Sequence, residues 1–142
     1  MYTHAHLRYA GALARVGDGP GLLAALEGGW RVYSSGPGLY LRLVLECPLG
    51  IRRRGWVVEV DPVMPPSLDG LTASVRLFDR QVEVAYRVGP IGSGPTRVTV
   101  GGHMLDAQRL ESPYRTGGLS VQADDLHRLL DSEGARIDVE VS

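Results

Sequence analysis

Thr72-Ala73-Ser74-Val75-Arg76-Leu77-Phe78-Asp79-Arg80-Gln81-Val82-Glu83-Val84-Ala85-Tyr86-Arg87-Val88 is the stretch whose reading decides the fold. Thr72 to Phe78 and Gln81 to Val88 are short and rich in β-branched residues, and Asp79-Arg80 suits a tight link between two strands. The same texture recurs outward in Trp56-Val57-Val58-Glu59-Val60, in Arg97 to Val100 and in Arg136 to Val141. Gly or Pro turns separate most of these segments, a rhythm that predicts an antiparallel sandwich or barrel. Gly101-Gly102 fits a two-residue hairpin turn, where positive φ is needed. One short helix interrupts the series from Ala123 to Leu130, with Asp124 and Asp125 suiting its N-terminal dipole.

Upstream the text is helical. Leu7, Ala10, Leu13 and Ala14 recur at helical spacing, which predicts a helix over residues 3–16, stopped by Gly17-Asp18-Gly19-Pro20. Gly21 to Leu26 allows one further helical turn before Gly28-Gly29. Ser34-Ser35-Gly36-Pro37-Gly38 forms a turn, and Leu39 to Leu49 then reads both ways. Leucines at 39, 41, 43 and 45 alternate as in a strand, yet leucine favours helices and Pro37-Gly38 is an acceptable helix entrance.

The 142 residues make one domain's worth of chain, and 44 % apolar with 22 % charged residues is a globular balance. The 15 basic and 16 acidic side chains leave a net charge of −1, without bulk attraction for nucleic acid or anionic lipid. Every basic residue is arginine, which excludes a Walker lysine, a Schiff-base lysine and a Ser-Lys dyad from this chain. The single cysteine, Cys47, cannot form an internal disulfide, and no run of 18 apolar residues or signal-peptide start is present. The expectation is a cytoplasmic protein without a membrane span.

Individual residues mostly carry plain readings. Arg52-Arg53-Arg54 beside Trp56 is the one basic cluster; three isolated charges read as a solvated loop rather than a nucleic-acid patch. His4-Ala5-His6 on a helix sends its two imidazoles apart, so no metal site is expected. His103 and His127 read as surface residues, Cys47 as a small buried apolar one, and Asp61 and Asp69 as turn formers. Trp30, Tyr33 and Tyr40 offer faces on which a sugar could stack, though aromatics near a helix end usually serve the core. No pair of carboxylates is spaced as acid and base, so no catalytic residue is assigned.

Three stretches in order carry a family resemblance: Met1-Tyr2-Thr3-His4-Ala5-His6-Leu7-Arg8-Tyr9, Gly28 to Tyr40 around Trp30-Arg31-Val32-Tyr33-Ser34-Ser35-Gly36, and Asp61-Pro62-Val63-Met64-Pro65 followed by Leu68-Asp69-Gly70-Leu71. Val82 to Val88 and Ser112-Pro113-Tyr114-Arg115-Thr116-Gly117-Gly118 agree with it. Together they resemble the C-terminal end of glycoside hydrolase family 94, the inverting glycoside phosphorylases, nearest the branch acting on β-1,2-glucans. The resemblance implies a mainly β fold: a C-terminal, jelly-roll-like antiparallel β-sandwich over residues 51–142, preceded by short helices left from an α/α barrel over residues 1–50. It also favours a helix from Pro37 to Leu49.

Function follows from the same resemblance. A phosphorylase cleaves a glycosidic bond with inorganic phosphate, and inversion needs an acid on the leaving oxygen and the attacking anion on the opposite face. Ser34, Ser35 and His4 fall where phosphate-binding residues sit in the family. The family's general acid, an aspartate, lies upstream of anything represented here, and the connection before Gly28-Gly29 is shorter than the family pattern. The chain is therefore expected to contribute part of a phosphate pocket and to be inactive alone, with β-glucan oligosaccharide and phosphate as ligands and no further cofactor. Expected protein partners are a missing barrel chain or a second copy, drawn to the apolar face of Leu7 and Leu13. The alternative is a non-catalytic carbohydrate-binding or structural module.

Overall fold

The structure is a computed structural model that describes residues 3–29 and 37–142, with the backbone alone for residues 3–6, 29, 37 and 39. Three helices come first: α1 (Thr3–Val16), α2 (Gly19–Gly29) and α3 (Pro37–Glu46). In α1 the helical repeat buries Leu7, Ala10 and Ala14. Gly17, at a φ of +80°, turns the chain, and Asp18 then caps α2. Its Oδ1 accepts the Gly21 N–H at 2.9 Å, and its carbonyl accepts the Leu22 N–H at 2.9 Å. That cap, with Leu22, Ala25 and Leu26 buried against α1 and Val63, carries α2 beyond the single turn expected.

The ambiguous leucine segment is a helix. Tyr40, Leu43, Val44 and Cys47 pack on the helical core at helix spacing. Leu41 and Leu45, which a strand would have placed on one face with Leu43, are 60 % and 42 % exposed. The apolar face of α1 expected to seek a second copy is closed within the chain: Leu7 is buried and Leu13 packs on the helical core. Among the described residues no helix is long and apolar enough to cross a membrane.

The rest is a sandwich of two sheets. β1 (Ile51–Arg54) and β2 (Val57–Val60) open it, then β3 (Thr72–Leu77), β4 (Arg80–Val88), β5 (Pro95–Val100), β6 (His103–Met104), β7 (Ala107–Arg109) and β8 (Leu119–Gln122). Helix α4 (Ala123–Glu133) leads into β9 (Arg136–Val141). One sheet has the order β1-β2-β8-β7 and the other β3-β4-β9-β5-β6. All pairs are antiparallel except β4 with β9. β9 enters between β4 and β5, which run opposite to each other, so it must lie parallel to one of them. Alternate residues of β4 and β9 face inward, and Val82, Val84, Tyr86, Ile137 and Val139 share one core with Val58, Val60, Val121, Leu126 and Leu130.

Three local expectations shift. Arg52-Arg53-Arg54 is an edge strand, not a loop, because each arginine pairs across to β2 and Glu59 answers Arg54 at 2.9 Å. The β3–β4 turn is Phe78-Asp79, one residue earlier than expected, since Arg80 already pairs with Leu77. Both turn residues have positive φ, 50° and 61°, as a two-residue hairpin requires. Phe78 is held there by His127, stacked at 4.8 Å, and by the Arg53 guanidinium 5.3 Å from its ring centre. α4 runs to Glu133, past Leu130, and ends at Gly134 with a φ of +100°.

Gly50 joins the helices to the sandwich. Its φ is +66°, its carbonyl accepts the Asp61 N–H at 2.8 Å, and a Cβ there would stand 2.1 Å from the Pro62 nitrogen. Next to it the buried Tyr86 hydroxyl donates to the Leu49 carbonyl at 2.8 Å, and burial pushes this phenol far above its ordinary value, so it stays a donor. Gly50→Ala is expected to lower unfolding stability by about 2–4 kcal/mol, from backbone strain and overlap together. A denaturant midpoint unchanged from the parent chain would contradict this account of the junction.

Candidate functional site

Of the three residues assigned to phosphate, Ser34 and Ser35 lie outside the described residues, as do Trp30 and Tyr33. His4 is placed only by its backbone, in the first turn of α1. Tyr40 is half-buried and packs on the helical core. His103 and His127 are solvent-accessible, as expected.

The described residues converge elsewhere. A cleft of about 630 Å³ opens between α1, α3 and the first sheet, lined by Arg8, Arg15, Arg42, Arg52, Arg54 and Arg115 together with Glu46 and Asp61. Its floor is built on Asp61. Arg115 grips this carboxylate with both terminal nitrogens, Nη1 to Oδ1 at 2.7 Å and Nη2 to Oδ2 at 2.8 Å. Arg52 Nη2 donates to Oδ2 from the other side at 2.7 Å. The Arg115 and Asp61 side chains are 9 % and 13 % exposed, so water screens the pair weakly.

Local structure explains how these groups meet. Asp61 leaves β2 on a backbone bond to Gly50 and runs straight into Pro62. Arg115 comes from the loop between β7 and β8, which is closed by Leu110 N–H on the Gly118 carbonyl at 2.8 Å. Arg109 steadies that loop by donating to the carbonyls of Pro95 at 2.6 Å and Gly117 at 2.8 Å. Gly118 leaves room for the carboxylate; a Cβ there would lie 2.6 Å from the Asp61 Cβ. Arg115 also donates Nε to the Ala14 carbonyl at 3.2 Å, at the negative end of α1, and Nη1 to its neighbour Thr116 at 2.9 Å.

The chemistry open to this arrangement is anion recognition. Both Asp61 oxygens accept hydrogen bonds from guanidinium groups. Burial pushes the Cys47 thiol above its ordinary value, opposed in part by the positive charge of Arg52, so it stays a thiol at neutral pH. Cys47 is half-buried rather than fully buried and faces the cleft. Among the described residues no group of three or more His, Cys, Asp or Glu is placed to hold a metal ion.

Asp61 and Arg115 were not foreseen as a pair. The signal was present in both stretches: an aspartate directly before Pro62, and an arginine two residues before Gly117-Gly118. Nothing in the spacing says that two positions 54 apart share a carboxylate and a guanidinium.

Residues 50–139 match the family described as the glycoside phosphorylase C-terminal domain, and the chain belongs to that family. It is similar to a particular protein, the 1,2-β-oligoglucan phosphorylase of Listeria innocua serovar 6a, with 34 % identity over 101 residues. That alignment covers 71 % of this chain and 9 % of the relative, so the chain spans under a tenth of the protein it matches. The matched family region contains β1 to β8, α4, Asp61 and Arg115.

Asp61→Ala is expected to lower stability by about 3 kcal/mol, because two poorly solvated guanidinium groups lose their counter-charge. Arg128→Ala, which removes an exposed pair with Asp125, should stay within about 1 kcal/mol of the parent. Equal denaturation midpoints for the two variants would show that Asp61 does not hold the junction.

Proposed function

We propose that this chain is the C-terminal portion of an inverting glycoside phosphorylase acting on β-glucan oligosaccharides. The observation that carries the reading is the family match over residues 50–139, joined by 34 % identity to a 1,2-β-oligoglucan phosphorylase. On this reading residues 1–50 are the last helices of an α/α barrel and residues 51–142 the closing sandwich. The protein works in the cytoplasm.

In the proposed reaction a phosphate oxygen attacks the anomeric carbon from the face opposite the leaving sugar. The bond from that carbon to phosphate forms as the glycosidic bond breaks, and a general acid delivers its proton to the leaving oxygen. The products are a sugar 1-phosphate and a shortened oligosaccharide. His4, Ser34 and Ser35 hold and orient the phosphate, for which imidazole and hydroxyl donors are suited. The acid belongs to the barrel, so this chain supplies one wall of the pocket and does not turn over alone. It contributes no cofactor beyond phosphate itself as co-substrate.

A second reading rests on one observation: Trp56, in the β1–β2 turn, is 82 % exposed. A bare indole of that kind offers a stacking face to a sugar, which would make the sandwich a carbohydrate-binding module without chemistry.

Titration calorimetry in phosphate-free buffer separates the two. The expected result is heat with phosphate that is reduced in Ser34→Ala, Ser35→Ala and His4→Ala, and no sugar 1-phosphate formed from β-1,2-linked oligosaccharide by this chain alone. Sugar binding that vanishes in Trp56→Ala, with those three variants indifferent to phosphate, would replace the first reading by the second. Turnover by the isolated chain would contradict the missing acid.

A further inference from the structure

We propose that the cleft between α1, α3 and the first sheet is a second anion site, which takes a phosphate group, free or esterified to a sugar. It uses none of His4, Ser34 and Ser35, so it goes beyond the function proposed above.

The shape comes from α1. Arg8 and Arg15 lie two turns apart on one stripe of the helix, with Gly11 and Ala12 lining the wall between them. The small residues keep that wall concave while the two guanidinium groups flank it. Arg42 on α3, paired with Glu46 at 2.7 Å, stands on the other wall, and Arg52 and Arg115 form the floor. A volume of about 630 Å³ suits a small ligand rather than a macromolecule.

Charge is what the cleft leaves unbalanced. Six arginines line the cleft with two carboxylates, and a third, Glu59, pairs with Arg54 beside it at 2.9 Å, on a chain whose net charge is −1. One carboxylate, Asp61, serves both Arg52 and Arg115. Among the described residues Arg8 and Arg15 have no hydrogen-bond or ion-pair partner. Arg52 Nε has no hydrogen-bond acceptor, with the Glu59 carboxylate 3.9 Å away, but it is sealed from solvent, so Arg52 meets the cleft only through its terminal nitrogens.

The ligand class follows from the donors. Guanidinium groups reach the cleft from α1, α3, β1 and the loop before β8, so they approach from several sides. A tetrahedral dianion carries two charges and accepts in three dimensions, whereas a carboxylate carries one charge and its acceptor sites lie in one plane. A smaller hollow of about 240 Å³ shares Arg15, Arg52, Asp61 and Arg115 and adds Ser112 and Tyr114. Tyr114 is 68 % exposed, a platform on which the sugar of a phosphate ester would rest.

The test is calorimetric titration of the whole 142-residue chain with inorganic phosphate, hexose 1-phosphate, sulfate and acetate, at two salt concentrations. Phosphate is expected to bind, to weaken about tenfold or more in Arg8→Ala with Arg15→Ala, and to persist in Ser34→Ala with Ser35→Ala. Both arginines are exposed, so folding should survive, and circular dichroism checks that it does. Arg128→Ala, an exposed charge on α4, should bind like the parent; an equal loss there would mean bulk charge only and overturn the site. Loss confined to the serine variants would also overturn it while leaving the proposed phosphate pocket standing. Loss confined to the arginine variants would support the cleft even if that pocket fails. Tighter binding of hexose 1-phosphate than of phosphate, reversed in Tyr114→Ala, would identify the ester as the ligand, and the opposite order the free ion. No heat with either, or displacement of phosphate by acetate at equal concentration, would refute the phosphate class.

Discussion

Asp61 is a point at which the helices and the sandwich are tied together. Its backbone N–H is fixed by Gly50, at the exit from the helices, and its carboxylate is held by Arg52 of β1 and Arg115 of the β7–β8 loop. Arg115 in turn donates to the Ala14 carbonyl near the end of α1. One carboxylate thus ties a helix, an edge strand and a long loop to a fixed geometry. Ion pairs this poorly hydrated often add little net stability over an apolar replacement, because both partners lose water. Their effect is on arrangement: an apolar contact tolerates sliding, while a forked guanidinium on a carboxylate admits one orientation. The cleft above Asp61 inherits its shape from that constraint.

The sandwich was legible because burial on one face of a strand leaves a mark in the sequence. β9 was read with its exact ends, and β3, β4 and β5 were read to within two residues, since their β-branched runs meet Gly, Pro or charged turns. The short strands were not. β6 and β7 are two and three residues long and mostly exposed, too short to show any period, and β8 is marked only by Leu119 and Val121. β1 was hidden for a different reason: three arginines in a row read as solvent-seeking, and only the neighbouring strand with Glu59 makes them a strand. The placement of β9 between β4 and β5 is a matter of topology. No local feature of Arg136 to Val141 says that one neighbour is parallel.

The helices show the same division. α1 announced itself by its repeat, whereas Leu39 to Glu46 satisfied two periods at once until packing selected Tyr40, Leu43, Val44 and Cys47 as the inward face. Among site residues, composition excluded lysine chemistry. It did not indicate which arginines converge, because Arg8, Arg42, Arg52 and Arg115 approach one cleft from four separate elements of the chain. Asp61 looked like a turn former, and it does end β2; its second role depends on a partner far along the sequence.

The absence of lysine then acquires a structural meaning. Arg115 makes two parallel bonds to one carboxylate and a third and fourth to backbone carbonyls, all from one rigid plane. An ammonium group has three donors but no fixed fork, and a lysine here would have to choose between Asp61 and the α1 carbonyl. Arg52 shows the complementary cost: the same rigidity that places Nη2 on Asp61 strands its Nε away from any acceptor. Arginine therefore fixes the junction by geometry and leaves surplus positive charge facing the space between helix and sheet.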